Sequence, residues 1–228
     1  MDQRIQKMEK ETEIKPKDFK KHLDLFFPTP VYWYDLPNAN QFNENLLKHI
    51  EEWKEKDKGI KNTNQGGWHS TTDMHLKKEY EPLVKELNKF QKEICTTECY
   101  SSPTLLSNMW ANINYPGCSN KKHLHPNSNW SGVYYVKTPE NCGTLNIEDP
   151  RIGYAMTVPQ QFSSDKLSQR LQRNIAYIPV AGRLMMFPAF LSHYVDVNQS
   201  KEEGKNGWRI SVSFNFVQTQ NLVIINKK

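Results

Sequence analysis

His123 and His125 stand in the run KKHLHPNSNWSGVYYVK (121–137) with only Leu124 between them. In an extended chain, residues two apart point to the same face. Their Cα atoms then lie roughly 6.5 Å apart, so both imidazoles can reach one metal ion. A third histidine, His193, follows the run FPAFLS. Imidazoles gathered from two places in the chain suit a first-row metal such as Fe, Zn, Cu or Ni. A polar loop before a strand would by itself leave the same trace at 123 and 125; His193 and the residues after it favour the metal. Arg209 opens the last apolar run, WRISVSFNFV, and Ser211 and Ser213 share its face by the two-residue period. A buried guanidinium is costly without an anion, and its planar fork matches a carboxylate through two parallel hydrogen bonds. A metal together with a deep arginine calls for a small molecule that chelates at one end and carries a carboxylate at the other. No side chain is assigned as a catalytic acid or base.

The elements that must position these groups follow from turn signals and periodicity. Residues 1–22 read as a polar arm and 23–228 as a single domain, with helical support over about 40–98 and a β core over about 105–220. LFFPTPVYWYDLP (25–37) is aromatic, β-branched and punctuated by proline, the pattern of an edge strand. Asn38 or Asn40 offers a cap for a helix over about 40–57, with Phe42, Leu46, Leu47, Ile50 and Trp53 on one stripe. GIKNTNQGG (59–67) is turn material, and a second helix over about 79–98 puts Leu83, Leu87, Phe90 and Ile94 on one face. Both helices are expected to pack on the outside of a sheet. From Ser107 the texture alternates: Trp110, Asn112 and Asn114 face one way, and Met109, Ala111, Ile113 and Tyr115 the other. Short strands at SGVYYVK, TLNIED, IAYIPV, RLMMFPA, SHYVDVN and WRISVSFNFV are separated by turn signals. A polar excursion over about 150–176 is expected to act as a lid. Strands at this spacing indicate a β-sandwich or a jelly-roll barrel.

FPTPVY, GGWHS, MWANINYPG, HLHPNSNWSGVYYVK, GTLNIEDPR, GRLMMFPAFLSHYV and WRISVSFNF span most of residues 25–217. In this order they resemble the 2-oxoglutarate- and iron(II)-dependent oxygenases, nearest to the prolyl-hydroxylase-like branch and, within it, a bacterial and phage-encoded group. The resemblance implies a mainly β fold with flanking helices, a double-stranded β-helix (jelly roll, cupin-like). It implies Fe(II) as the metal, 2-oxoglutarate as co-substrate, molecular oxygen, and hydroxylation of a C–H bond. The substrate stays open between a prolyl residue, another protein side chain and a small metabolite. Carried over position by position, His123 and His193 match the two histidine ligands. His125 stands where a carboxylate is usual. Arg209 matches the partner of the co-substrate's distal carboxylate, Tyr135 a tyrosine that hydrogen-bonds it, and Ser211 or Ser213 further donors. Asn112, Asn114 and Asn215 are placed in the pocket lining. The departure at 125 makes the iron centre more positive by one charge, because the usual non-heme site has two histidines and one carboxylate. The third ligand is therefore His125 or one of Glu148, Asp149 and Asp196, with strand geometry favouring His125.

Composition narrows the partners. The net charge of +5 comes with alternating Lys and Glu, and no basic block is interleaved with aromatics, so a nucleic-acid partner is not expected. No apolar run approaches the ~20 residues that cross a bilayer. MDQRIQKMEKETEIKPKDFK at the start has no apolar secretory core. A cytoplasmic protein without a membrane partner is the expectation. Cys95, Cys99, Cys118 and Cys142 contain no C-x-x-C pair, which argues against a disulfide framework and against the usual zinc spacings. His69 and His75 read as structural or surface residues, and Trp68 and Trp208 as packing that could border a substrate mouth. Two other functions compete. A three-histidine, cupin-like metal dioxygenase that does not use 2-oxoglutarate would leave Arg209 without a partner. A non-catalytic jelly-roll binding module would make the order of ligands a coincidence. Oligomeric state and pathway stay open.

Overall fold

The alternation over the second half of the chain is realised as two antiparallel sheets laid face to face. The computed structural model describes residues 27–102, 104–151, 153, 156 and 172–218. The polar arm over 1–22 and most of the expected lid over 150–176 lie outside the described residues. In chain order the elements are β1 (Tyr32–Asp35), α1 (Ala39–Lys56), β2 (Asn64–Gln65), β3 (Trp68–His69), α2 (Glu81–Thr97), β4 (Leu105–Asn114), β5 (Ser119–His123), β6 (Trp130–Lys137), β7 (Leu145–Glu148), β8 (Asn174–Tyr177), β9 (Arg183–Pro188), β10 (His193–Val195) and β11 (Arg209–Val217). The major sheet runs β1-β9-β6-β11-β4-β3 and the minor sheet β2-β5-β10-β7-β8.

The two-residue period sorts each strand's side chains between two cores. Ile210, Val212, Phe214 and Phe216 of β11 join Met109, Ala111 and Ile113 of β4 in the core beneath the helices. Leu46 and Ile50 of α1, and Leu83, Leu87, Phe90 and Ile94 of α2, cover that face. Burial of a large aliphatic or aromatic side chain contributes roughly 1.5–3 kcal/mol, so this layer is the main reason the helices stay docked. On the other face, Tyr135, Met185 and Phe187 of the major sheet pack against Leu145 and Ile147 of the minor sheet. Two antiparallel sheets closed on each other, with helices outside one of them, make the double-stranded β-helix expected from the sequence.

Details differ from the expectations where tertiary contacts decide. Asn38 takes the N-cap position of α1, but in the left-handed region (φ 54°) and with no side-chain capping bond. Asn40 lies inside the helix. A 3-10 turn, Lys78–Tyr80, fills the expected start of the second helix, and Pro82 sits in the first turn of α2, where its missing N–H costs nothing. The first strand shrinks to four residues at the edge of the major sheet. The turn material at 59–67 holds β2 and leads into β3, each two residues long. β8 begins at Asn174, inside the expected excursion. Among the described residues, no helix is long and apolar enough to cross a membrane, and all four cysteines are free.

Candidate active site

β5 and β10 are neighbours in the minor sheet, and their register sets His193 directly opposite His123. Facing residues of an antiparallel pair bring their Cβ atoms to about 4.5–5.5 Å, and the two ring centroids are 4.4 Å apart. His125 lies beyond the end of β5, where its backbone N–H donates to the carbonyl of Ala189 at 3.1 Å. That anchor brings its ring to 5.0 Å from His123 and 5.1 Å from His193. One ligand nitrogen from each ring lies within 4.8 Å of the others.

The donor set fits iron on two counts. Nδ1 of His123 donates to the carbonyl of Lys121 at 2.6 Å, and Nδ1 of His193 to that of Leu191 at 2.8 Å. A carbonyl only accepts, so both rings carry their proton on Nδ1 and present the lone pair of Nε2. All three rings are also held neutral, the form that ligates. Burial, with the neighbouring imidazoles adding to it, pulls His125 down to about 3. Burial and then His123 pull His193 down to about 4, and burial lowers His123. The three carboxylates considered as alternatives are engaged elsewhere. Glu148 pairs with Lys122 at 3.1 Å and Asp149 with Arg151 at 2.6 Å. Asp196 accepts from Thr144 at 2.5 Å and Asn146 at 2.8 Å. None joins the histidine cluster.

The three rings wall a cavity between the sheets, about 570 Å³ with its open mouth included. Arg209, Tyr135, Ser211, Ser213 and Asn112 wall the same cavity. β11 runs between β4 and β6, so Ser211 faces Asn112 on one side and Tyr135 on the other. Arg209 is only 2% exposed. Its Nη1 donates to the carbonyls of Cys142 at 2.7 Å and Gly143 at 3.4 Å, and among the described residues no carboxylate forms an ion pair with it. Burial depresses its pKa, opposed first by Tyr135. Burial pushes the Tyr135 phenol up, so it stays a protonated donor. Gly143 has φ +86°, and a Cβ there would meet the carbonyl oxygen of Asp196 at 2.4 Å. Only glycine fits at this point, which holds one of the carbonyls that orient Arg209. Asn112 gives Nδ2 to Ser213 at 3.1 Å, while its buried Oδ1 has no partner among the described residues.

Two expected lining residues are displaced from the cavity wall. Asn114 donates to Asn120 at 3.1 Å, and Asn215 is tied to Ser131 and Asn108 at 2.7 and 2.8 Å, so neighbouring polar side chains hold both amides. Thr63, Asn120 and Phe187 wall the cavity unforeseen. Their residue types carry no site signal; only the pairing of distant strands brings them here. His69 is buried, with Nδ1 at 2.6 Å from the carbonyl of Ser70 and its ring stacked on Trp110. Trp68 and Trp208 belong to the helix-side core and do not reach the cavity.

Residues 108–215, which carry all three histidines and Arg209, match the family model described as "Putative 2OG-Fe(II) oxygenase". That segment is a domain of the 2OG-Fe(II) oxygenase family. Its fold is shared with a prolyl-4-hydroxylase from Pseudomonas putida, at 13% identity and a TM-score of 0.59 over 84% of this chain and 94% of that one. It is shared too with the viral collagen prolyl hydroxylase of Paramecium Bursaria Chlorella virus-1, at 14% identity and a TM-score of 0.54 over 82% and 94%. HygX from Streptomyces hygroscopicus, solved with nickel and 2-oxoglutarate bound, aligns at 9% identity and a TM-score of 0.57 over 84% and 83%. No curated protein matches the chain. This 2OG-Fe(II) oxygenase is therefore a non-heme iron enzyme that uses 2-oxoglutarate as co-substrate.

Proposed function

We propose that His123, His125 and His193 hold the iron, that Arg209 receives the distal carboxylate of 2-oxoglutarate, and that the substrate is a side chain of a protein or peptide, a prolyl residue foremost. One observation carries this reading: a single cavity is walled by the three-histidine cluster and by a buried arginine that has no carboxylate partner among the described residues. Iron, when bound, supplies the redox chemistry with oxygen and the co-substrate. The chain does the rest. Arg209, pinned by the carbonyls of Cys142 and Gly143, offers its other donors to the carboxylate. Tyr135 and Ser211, facing each other across β6 and β11, add hydroxyl donors to the same group. Ser213 is already shared with Asn112. Val133, Leu145 and Phe187 wall the cavity with apolar surface and exclude water from it.

Exposed apolar side chains next to the site in the chain, and the relatives that share the fold, support the protein-side-chain substrate. Leu124 and Phe190 neighbour His125 and Ala189 in the chain and are 48% and 60% exposed. Exposed apolar side chains beside a candidate ligand in the chain suit contact with a peptide, and two of the proteins that share the fold are prolyl hydroxylases. Incubation with Fe(II), 2-oxoglutarate and proline-containing peptides, read by oxygen-dependent succinate formation and a mass gain on the peptide, tests it. Succinate that rises only with small metabolites removes the peptide reading. The domain reading over 23–228 and the cytoplasmic location rest on the sequence pattern and composition alone.

A further inference from the structure

We propose that Asn215 is a positioning residue that decides whether His125 ligates the metal; this deepens the three-histidine reading and rests on it. The three rings are not held alike. His123 and His193 each place Nδ1 on the carbonyl two residues upstream. Those partners can never reverse. Nδ1 of His125 instead faces Nδ2 of Asn215 at 3.4 Å. An amide offers a donor or an acceptor according to which end is turned toward its neighbour.

In this structure that amide stands in one sense, matched by its other contacts. Ser131 Oγ donates to Asn215 Oδ1 at 2.7 Å, and Asn215 Nδ2 donates to Asn108 Oδ1 at 2.8 Å. The second hydrogen of Nδ2 is left for His125, so Nδ1 of His125 accepts. A neutral ring whose Nδ1 accepts carries its proton on Nε2. The nitrogen left to face an ion then has no lone pair to give. His125 becomes a ligand when the amide turns over. Turnover keeps every contact if Asn108 reverses with it. Asn108 Nδ2 then donates to Asn215 Oδ1, Asn215 Nδ2 donates to Ser131 Oγ, and His125 Nδ1–H donates to Asn215 Oδ1, which has two lone pairs for its two donors. His123 and His193 are thus permanent ligands, and His125 is a conditional third.

Nitrogen NMR of the metal-free protein reads the ring protons directly. The expected result is Nδ1–H for His123 and His193 and Nε2–H for His125. Asn215→Asp replaces the amide with an acceptor, so His125 should switch to Nδ1–H and Co(II) affinity should rise on the order of tenfold. Added negative charge also attracts the ion, so Asn108→Asp, one hydrogen bond further out, is the control. It should raise affinity less and leave the tautomer unchanged. His125→Ala should cost about 2- to 150-fold more Co(II) affinity in the Asn215→Asp background than in wild type, the usual span of coupling between contacting residues. Nδ1–H on His125 in the wild-type protein, or additive effects of the two substitutions, overturns the proposal. Loss of the metal reading itself looks different: Co(II) retained by His193→Ala. If Asn215→Asp does not fold, the wild-type tautomer decides alone.

Discussion

At the scale of single residues, the site is built from few strong constraints. His193 faces His123 across two strands, and its ring is held by the Leu191 carbonyl. His193→Ala should therefore abolish Fe(II) retention while leaving the circular dichroism spectrum and cooperative unfolding in place. Iron content equal to wild type would remove His193 from the metal site. The same rings give the metal-free protein an acid sensitivity with a definite sign. His125 and His193 titrate at about 3 and about 4 in the folded state, against ~6.5 in an unfolded chain. Between those values the unfolded chain binds protons that the folded one refuses. Their contribution to stability is complete above pH ~6.5, falls as the pH drops, and levels off near pH 3. The melting temperature of metal-free protein should fall between pH 7.5 and 5. The fall should be shallower in a His125→Gln/His193→Gln variant. Equal slopes in the two proteins would place the acid sensitivity elsewhere.

At the scale of elements, the loop before β7 sets the arginine. Gly143 lies in the left-handed region with the Asp196 carbonyl at 2.4 Å from any added Cβ, and its own carbonyl and that of Cys142 receive Arg209. Gly143→Ala should cost about 1–3 kcal/mol of stability through strain and should also weaken 2-oxoglutarate binding, both readable by thermal melts and calorimetry. An unchanged 2-oxoglutarate affinity in a folded variant would detach this loop from the arginine. Much of this level was legible in the sequence. Alternation in MWANINY and WRISVSFNF sorted the side chains of β4 and β11 onto two faces, because the two-residue period survives even where both faces are buried. The stripes at Leu46/Ile50 and Leu83/Leu87/Ile94 gave both helices. β5 was missed as a strand because Ser119–His123 is polar and largely accessible, with partners supplied by β2 and β10 rather than by its own apolar pattern.

At the scale of the molecule, the two sheets bring together residues that the chain keeps far apart. His123 and Arg209 belong to different sheets, yet wall one cavity. The metal-ligand spacing, the late arginine and the serines beside it were legible because they follow strand periods. The roles of Asn112, Asn114 and Asn215 were not. All three alternate onto the inner face, but side-chain hydrogen bonding, which no period records, leaves Asn112 on the cavity wall and turns Asn114 toward Asn120 and Asn215 toward Ser131 and Asn108. The lining by Thr63 and Asn120 was hidden for the same reason, since it depends on how one sheet closes over the other.

The central claim is that one cavity takes both the metal and 2-oxoglutarate, with Arg209 as the partner of the distal carboxylate. Anaerobic calorimetric titration of the Fe(II)-loaded protein with 2-oxoglutarate, wild type beside Arg209→Ala, tests it most directly. A charge-assisted contact of this kind is worth roughly 1.5–3 kcal/mol. Wild type should bind one equivalent, and Arg209→Ala should bind about 10- to 150-fold more weakly while retaining its iron. Equal 2-oxoglutarate affinity in the two proteins would contradict the assignment of the cavity.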